Sequence, residues 1–338
     1  MTGNGPRKVR TIADLAKLAG VSTGTVSRAL AGKSLVNAVT RDRIQAMARE
    51  HGFRPNQMAS KLRTQRTGVI GVVFTLGHER EQPISDPFFM MMLSHLADGL
   101  TGRGYDLMLS RVLPDSDDWL DNLASSGMVD GLMMIGQSNQ TPVIERVAEW
   151  YRPMVAWGQV HPAYRHCAVG SDNRLGGQLA ARRVVDRGCR RLLFLGDIEP
   201  PEIAERFAGA NAEAQRRGLP PVDTQLVRFA SQAAEQDLAR IIDGIIGTYD
   251  GILCASDVIA MVTLRALADH DVAVPDRIAV MGFDDITLAA QAVPRLSTIH
   301  QDVAAGAQAM IDALFARMNG DDAPSVVLQT RLVARDSA

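Results

Sequence analysis

The sequence predicts a mixed α/β protein in two parts: a small all-α head and a larger, two-lobed body of parallel sheets flanked by helices. Three observations carry that prediction. Residues 1–66 hold 13 Lys and Arg against 3 Asp and Glu, whereas the remaining residues hold 23 against 35. The basic segment spaces its apolar residues for helices, which an unstructured basic tail has no need of. From Val69 onward, apolar runs alternate with helical patterns, as parallel strands covered on both faces require. Roughly twelve such elements exceed one comfortable sheet, hence two lobes.

Composition narrows the class further. The chain is 46% hydrophobic and 22% charged, with no apolar run near the roughly eighteen residues of a membrane helix. MTGNGPRKVR leads into an amphipathic stretch with Asp14 and Lys17, not an apolar signal core, so a cytoplasmic protein without a membrane partner is expected. Cys167, Cys189 and Cys254 show no C-x-x-C spacing, which argues against a disulfide framework or a cysteine zinc site.

In the head, Thr11 can cap a helix over Ile12–Ala19, with Asp14 near its positive end and Ile12, Leu15, Ala16 and Ala19 as its apolar stripe. Gly20 stops it. Ser22 can cap a second helix ending near Leu30, and Thr40 a third, with Ile44, Met47 and Ala48 inward and Gly52 just past its end. Two short helices joined by a tight glycine turn and braced by a third form a helix-turn-helix unit. The second helix of such a unit lies in the DNA major groove. Thr23, Gly24, Ser27 and Arg28 then face base edges, with Arg28 able to grip a guanine. Ser22 and Thr25, at the helix N-terminus, suit phosphates. A basic head on an acidic body fits the same partner.

Residues 56–67 read as a hinge. Met58, Ala59 and Leu62 share one face of a segment too short to be a stable helix alone. It is either an ordinary linker or a helix that orders when two copies meet over DNA, with Leu62 as a wedge in the minor groove.

In the body, VIGVVF, YDLMLSRV, GLMMIG, PMVAWG, RRLLFLGD, GILCASD and IAVMGFDD read as buried strands. Helical patterns lie near 88–102, 141–151, 173–187, 202–217, 233–246 and 257–269. Ligands bind such sheets at the carboxyl ends of the strands. Polar residues gather there: Asp172 and Asn173, Asp197, Ser256 and Asp257, Asp284 and Asp285. Arg206 sits on a helix that would begin at the same cleft. Carboxylates and an arginine around a wet pocket suit the grip of sugar hydroxyls. Phe88 and Phe89 either stack on a ligand or pack in the lobe core. The seven histidines lack H-E-x-x-H or comparable spacing, and no G-x-S-x-G elbow, P-loop or post-strand G-x-G-x-x-G is present, so neither an enzyme nor a cofactor is expected.

TIADLAKLAGVSTGTVSRAL, then TRDRI, then GFRPNQMASKLRTQRTGVIGVVF resemble the LacI/GalR family of bacterial repressors, densely over residues 11–75. The resemblance implies that Thr23 and Gly24 read the operator beside Arg28, with Thr11 and Asn56 in the DNA-facing set. It also implies that Ala59 lines the minor groove and Leu62 enters it. The body is similar to periplasmic sugar-binding proteins, with three crossings between lobes. DPFF at Asp86–Phe89, VDGL at 129–132, SDN at 171–173, R-x-x-G at Arg206–Gly209 and GFDD at 282–285 carry that likeness. It makes Arg206 and Asp284 the main effector ligands, joined by Asp86, Phe88, Phe89, Asp172, Ser256 and Asp257. One departure is Ser256-Asp257, where family members often have Asn-Asp.

The expected organisation is a head at 1–55, a hinge at 56–67 and a body at 68–338. Within the body one lobe is expected at about 68–160 plus 291–320, the other at about 161–290 plus 321–338. The expected function is a homodimeric repressor on near-palindromic double-stranded operator DNA, associated with the nucleoid. Its effector would be a mono- or disaccharide, a glucoside foremost. A purine corepressor on the same architecture is the alternative, and a transporter's solute-binding protein the competing class. RLVARDSA carries no leucine heptad, so no coiled-coil tetramer is expected.

Overall fold

The computed structural model describes Val9 and residues 11–30, 35–53, 66–75, 82–112 and 116–338. They fall into two compact units, 1–67 and 68–338. The hinge candidates Asn56, Ala59 and Leu62 lie outside the described residues.

The first unit is three short helices that finish one another's ends. In α1 (Ile12–Ala19) a capping box forms: the Asp14 amide donates to Thr11 Oγ1 at 3.1 Å, and the Thr11 amide donates to the Asp14 carboxylate at 3.0 Å. Gly20 closes it at φ 65°, a left-handed cap that glycine adopts without strain. In α2 (Thr23–Leu30) the Ser22 hydroxyl accepts the Thr25 amide at 3.1 Å. The third helix, α3 (Ala38–Glu50), starts earlier than its expected cap at Thr40. Asn37 takes that place, accepting the Val39 amide at 2.8 Å, because asparagine caps at least as well as threonine and lies where the chain turns. Leu15, Ala16, Val26, Ala29 and Ile44 form the core. Arg43 donates to the Ala19 carbonyl at 2.8 Å and Gln45 to the Ala29 carbonyl at 3.1 Å. Thus α3 satisfies carbonyls that the C-terminal turns of α1 and α2 leave open.

The second unit contains two six-stranded sheets. The first holds β1 (Val69–Thr75), β2 (Asp106–Val112), β3 (Gly131–Ile135), β4 (Met154–Trp157), β5 (Cys167–Ser171) and β11 (Val326–Leu328). They are ordered β11-β5-β4-β3-β1-β2, all parallel. Successive residues alternate between its two faces. Ile70, Val72, Phe74, Met133 and Ile135 pack toward α4 (Pro87–Gly102) and α11 (Val303–Met318). Val73, Leu132 and Met134 pack toward α5 (Trp119–Ser125) and α6 (Thr141–Ala148).

The second sheet holds β6 (Leu192–Leu195), β7 (Asp223–Gln225), β8 (Gly251–Cys254), β9 (Ala279–Asp284), β10 (Ser297–His300) and β12 (Arg331–Val333). Its order is β12-β10-β9-β8-β6-β7, and only the β10–β12 pair is antiparallel. It is covered by α7 (Asn173–Asp186), α8 (Pro201–Arg216), α9 (Ser231–Thr248) and α10 (Asp257–Asp269).

The lobe boundaries differ from those expected at 160/161, 290/291 and 320/321. Each crossing falls later, at 171–173, 300–303 and 328–331, because β5, β10 and β11 first complete their ladders with β4, β9 and β5. A chain leaves a parallel sheet at the carboxyl end of a strand, not before the strand has paired. The run YDLMLSRV also differs: β2 is a half-exposed edge, not a buried strand.

The crossing of α7 over α8 rests on two glycines. A Cβ at Gly177 would lie 1.9 Å from the Arg206 carbonyl oxygen, and one at Gly209 would lie 2.0 Å from that of Arg174. Gly209→Ala should therefore destabilise the body by about 3 kcal/mol or more, since backbone must move to admit the methyl. Gly244→Ala, on an exposed turn of α9 with nothing within 4 Å, should instead stabilise it by about 0.5–1 kcal/mol. Urea unfolding of the two variants beside the parent checks both signs.

Candidate functional site

The carboxyl ends of both sheets meet at an open-mouthed cleft with an internal cavity of about 80 Å³. Thr75, Ile135 and Trp157 end strands of the first sheet there, and Asp284 ends β9 of the second. The first two turns of α8 bring Glu202, Ile203 and Arg206, and the first turn of α4 brings Phe88 and Phe89 beside Asp86.

Arg206 is the organising group. It is 7% exposed, and its guanidinium lies 3.7 Å over the Phe283 ring. Nε donates to Asn173 Oδ1 at 2.8 Å and Nη1 to the Ala255 carbonyl at 2.5 Å. Nη1 also stands 3.8 Å from Asp284 Oδ1. Nη2 has no hydrogen-bond partner among the described residues, so its two protons are available to a ligand. Burial pulls the arginine's pKa down, and the charges of Asp284, Glu202 and Asp257 push it back up.

Asp284 faces this cation and accepts from Gln301 Nε2 at 2.7 Å. Burial pushes its carboxyl up to about 7, with Arg206 opposing and the Asp86 charge adding to the rise. Its φ of 115° and the φ of 57° at Asp285 place this pair in a backbone region that L side chains seldom occupy. Asp285 points away from the ligand space: His300 Nδ1 lies 2.9 Å from its Oδ2, and Arg335 Nη2 donates to its Oδ1 at 2.6 Å. It thereby fixes the turn that carries Asp284.

Asp86, Phe88, Phe89, Arg206, Ser256 and Asp284 all line the cleft. Their local duties differ. Asp86 caps α4 through the Phe88 amide at 2.9 Å and receives Gln82 Nε2 at 3.2 Å; burial raises its pKa. Ser256 caps α10 through the Ile259 amide at 3.3 Å. Phe88 stands 6.1 Å from Trp157, centroid to centroid, as an aromatic wall, while Phe89 is packed against Phe74 at 4.8 Å.

Two expected ligand residues lie elsewhere. Asp172 caps α7 through the Leu175 amide at 2.9 Å and is stitched to the third crossing, its own amide donating to the Leu328 carbonyl at 2.8 Å. Asp257 is fully buried behind the cleft, accepting Thr298 Oγ1 at 2.5 Å and the Ile286 amide at 2.9 Å. Gly282 makes that position possible, because a Cβ there would lie 2.1 Å from Asp257 Oδ1. Burial, then the Asp284 charge, raises the Asp257 pKa well above its ordinary value.

Trp157, Gln301 and Glu202 do not stand out in the sequence as ligand residues. Trp157 ends an expected strand, which is a usable signal. Gln301 follows β10, whose four residues show no clear alternation, and Glu202 reads as an ordinary first-turn acid behind two prolines.

On the first unit, Thr23, Arg28 and Ser22 are exposed, and Gly24, Thr25 and Ser27 are half-buried on the same helix. Thr11 is exposed with its hydroxyl and amide engaged in the capping box. Among the described residues no helix is long and apolar enough to cross a membrane, and no group of three His, Cys, Asp or Glu side chains is placed to hold a metal.

Asp284 has a consequence for stability. An unfolded aspartate ionises near 3.9, whereas the folded one holds its proton to about 7. Between those values the native state binds the extra proton, so stability is greatest at the acid end and falls as pH rises, by an amount on the order of a few kcal/mol. Asp284→Asn should flatten that decline without abolishing it, since Asp257, Asp86 and Glu202 shift in the same direction. Chemical unfolding of parent and variant from pH 5 to 7.5 measures the two slopes, and identical slopes would refute the assignment.

Residues 11–56 match the bacterial regulatory proteins of the lacI family, and residues 181–338 match a periplasmic binding protein-like domain. The HTH-type transcriptional regulator CelR of Thermobifida fusca is 27% identical over 98% of this chain and 99% of its own. A solved transcriptional regulator CelR–cellobiose complex is similar with a TM-score of 0.67 at 26% identity, covering 97% of this chain and 99% of that one. The lac repressor dimer bound to operator and the anti-inducer ONPF shares the fold with a TM-score of 0.82 at 22% identity, over 97% of this chain and 98% of its own. Helix-turn-helix head, two-sheet body and near full-length relatives agree: the chain joins a lacI-family DNA-binding head to a periplasmic binding protein-like body, as the LacI-family transcriptional regulators it resembles do.

Proposed function

We propose that the protein is a homodimeric transcriptional repressor of a carbohydrate-utilisation operon, released when a mono- or disaccharide enters the body cleft. The observation that carries the sugar reading is the cleft itself: the free Nη2 edge of Arg206, the Asp284 and Asp86 carboxylates, and the Phe88–Trp157 aromatic wall. Carboxylate and guanidinium each hold adjacent hydroxyls, and an aromatic face packs against the apolar side of a pyranose. CelR, whose structure was solved with cellobiose, supports the same class. The protein is read as a cytoplasmic, nucleoid-associated binder of DNA and not as an enzyme.

In the head, Thr23, Gly24, Ser27 and Arg28 read base edges, Ser22 and Thr25 hold phosphates, and Thr11 and Asn56 complete the DNA-binding set. Ala59 and Leu62 act in the minor groove. Two copies impose two half-sites, so the operator is near-palindromic. In the body, a shallow groove lined by Met90 and Ser94 of α4 and by Thr287 and Leu288 joins surface from both lobes. A second copy seated there touches both lobes, and lobe closure changes how the copies fit. The effector acts through its higher affinity for one of those arrangements.

Operator selection from random DNA, followed by gel shifts with and without sugars, tests the proposal. A near-palindromic site whose occupancy falls at least tenfold with a neutral sugar is the expected result. Tighter operator binding with a purine, and no response to sugars, would replace it with a corepressor. Gly24→Ala should stabilise the unbound head by up to about 1 kcal/mol, because a Cβ there meets only Arg28 Nη2 at 3.6 Å and Ser22 Oγ at 3.8 Å, and should alter the selected operator sequence. Thermal melting and the selected sequence read these two effects separately.

A further inference from the structure

We infer that Glu202 selects the charge of the effector: its carboxylate accepts a hydrogen bond from a hydroxyl of an uncharged sugar and, with Asp86 and Asp284, excludes phosphorylated sugars. The inference rests on the reading of the cleft as a sugar site and specifies which sugars it admits.

Glu202 stands in the first turn of α8, one helical turn before Arg206, in the wall of the cleft. The residue as a whole is partly exposed, yet its Oε2 is enclosed and accepts no hydrogen bond among the described residues. Arg206 does not serve it, because Nε and Nη1 are engaged by Asn173 and the Ala255 carbonyl and no ion pair with Glu202 forms. The group is held in a low-polarity wall with burial pushing its pKa up. An enclosed acceptor without a donor is costly unless a partner arrives, and the residue that carries it lines the cleft.

The cleft's charge balance decides the class of partner. Among the described lining residues, three carboxylates (Asp86, Glu202 and Asp284) face one cation, Arg206. Among these described residues carboxyl groups outnumber the cation three to one. A sugar phosphate would set two further negative charges against this wall, in surroundings where Coulomb repulsion is weakly screened. A neutral sugar instead donates hydroxyl protons to the carboxylates, and charge-assisted bonds of that kind are strong. Arg206 alone is no anion pocket, since two of its three nitrogens are already engaged by the protein.

Calorimetry on the full chain with glucose, cellobiose, ribose and the phosphate ester of each tests the inference, alongside Glu202→Gln. At least one neutral sugar should bind ten times or more tighter than its ester, and Glu202→Gln should weaken that sugar at least tenfold while narrowing the gap to the ester. The variant should melt at or above the parent, because an unpartnered carboxylate is removed, which separates lost binding from lost fold. Esters that bind as tightly as the neutral sugars, or neutral-sugar affinity unchanged in Glu202→Gln, would overturn the inference and leave the sugar reading standing. Binding of neither kind by the parent would overturn the sugar reading and this inference with it.

Discussion

The body depends on the burial of one guanidinium. Removing a charge from water carries a penalty of several kcal/mol, and it persists only where geometry and partners compensate. Arg206 receives that compensation from a side-chain amide, a main-chain carbonyl and an aromatic face, with Asp284 a little beyond contact. Each partner comes from a different element: α7, the end of β8 and β9. None is in reach unless α7 and α8 touch at their backbones, which is what Gly177 and Gly209 allow. The R-x-x-G pattern is thus one device: the glycine sets the helix crossing that puts the arginine three residues earlier at the cleft.

The same arrangement sets like charges across the opening of the cleft. Asp86 belongs to the first lobe and Asp284 to the second, and the charge of one raises the pKa of the other. Like charges on facing walls oppose closure. Under the proposed function, a ligand that donates hydrogen bonds to both sides would relieve that opposition and so bind the closer arrangement more tightly. That difference is the quantity an allosteric ligand must supply. Each wall is held firmly within its own lobe. His300 ties the GFDD turn to the second crossing, and the Leu328 carbonyl ties Asp172 to the third.

What the sequence made legible followed from how strongly each segment is constrained by its own neighbours. The buried central strands β1, β3, β4, β6, β8 and β9 and the long helices other than α11 were readable because apolar runs and 3.6-residue stripes have few alternative explanations. Strands β7, β11 and β12 are three residues long and lie at sheet edges, where composition is hardly restricted, and β10 gave no clear pattern. The late crossings escaped for the same reason, since they are set by pairing between segments distant in sequence. At the site, Asp284 was legible as a charge at a strand end and Arg206 as one on a helix beginning at the cleft, whereas Asp86 was marked only by the DPFF resemblance. Whether such an acid faces a cleft or supports it from behind depends on a neighbour's missing side chain, as at Gly282 and Asp257. No local pattern carries that information.

The head is built by the opposite logic. Eight-residue helices are marginal alone, and here the interior supplies what they lack: Arg43 and Gln45 close the ends of α1 and α2 while Val26 and Ala29 anchor the second helix. Those constraints act from beneath. On the outer surface of α2 nothing in the fold demands Thr23, Gly24 or Arg28. A methyl at Gly24 would meet its neighbours only at ordinary contact distances, and alanine would make a better helix. A residue that weakens its own helix where packing leaves room for a better one is set by something outside the head. On the proposed reading of this helix, that something is the edge of a base pair.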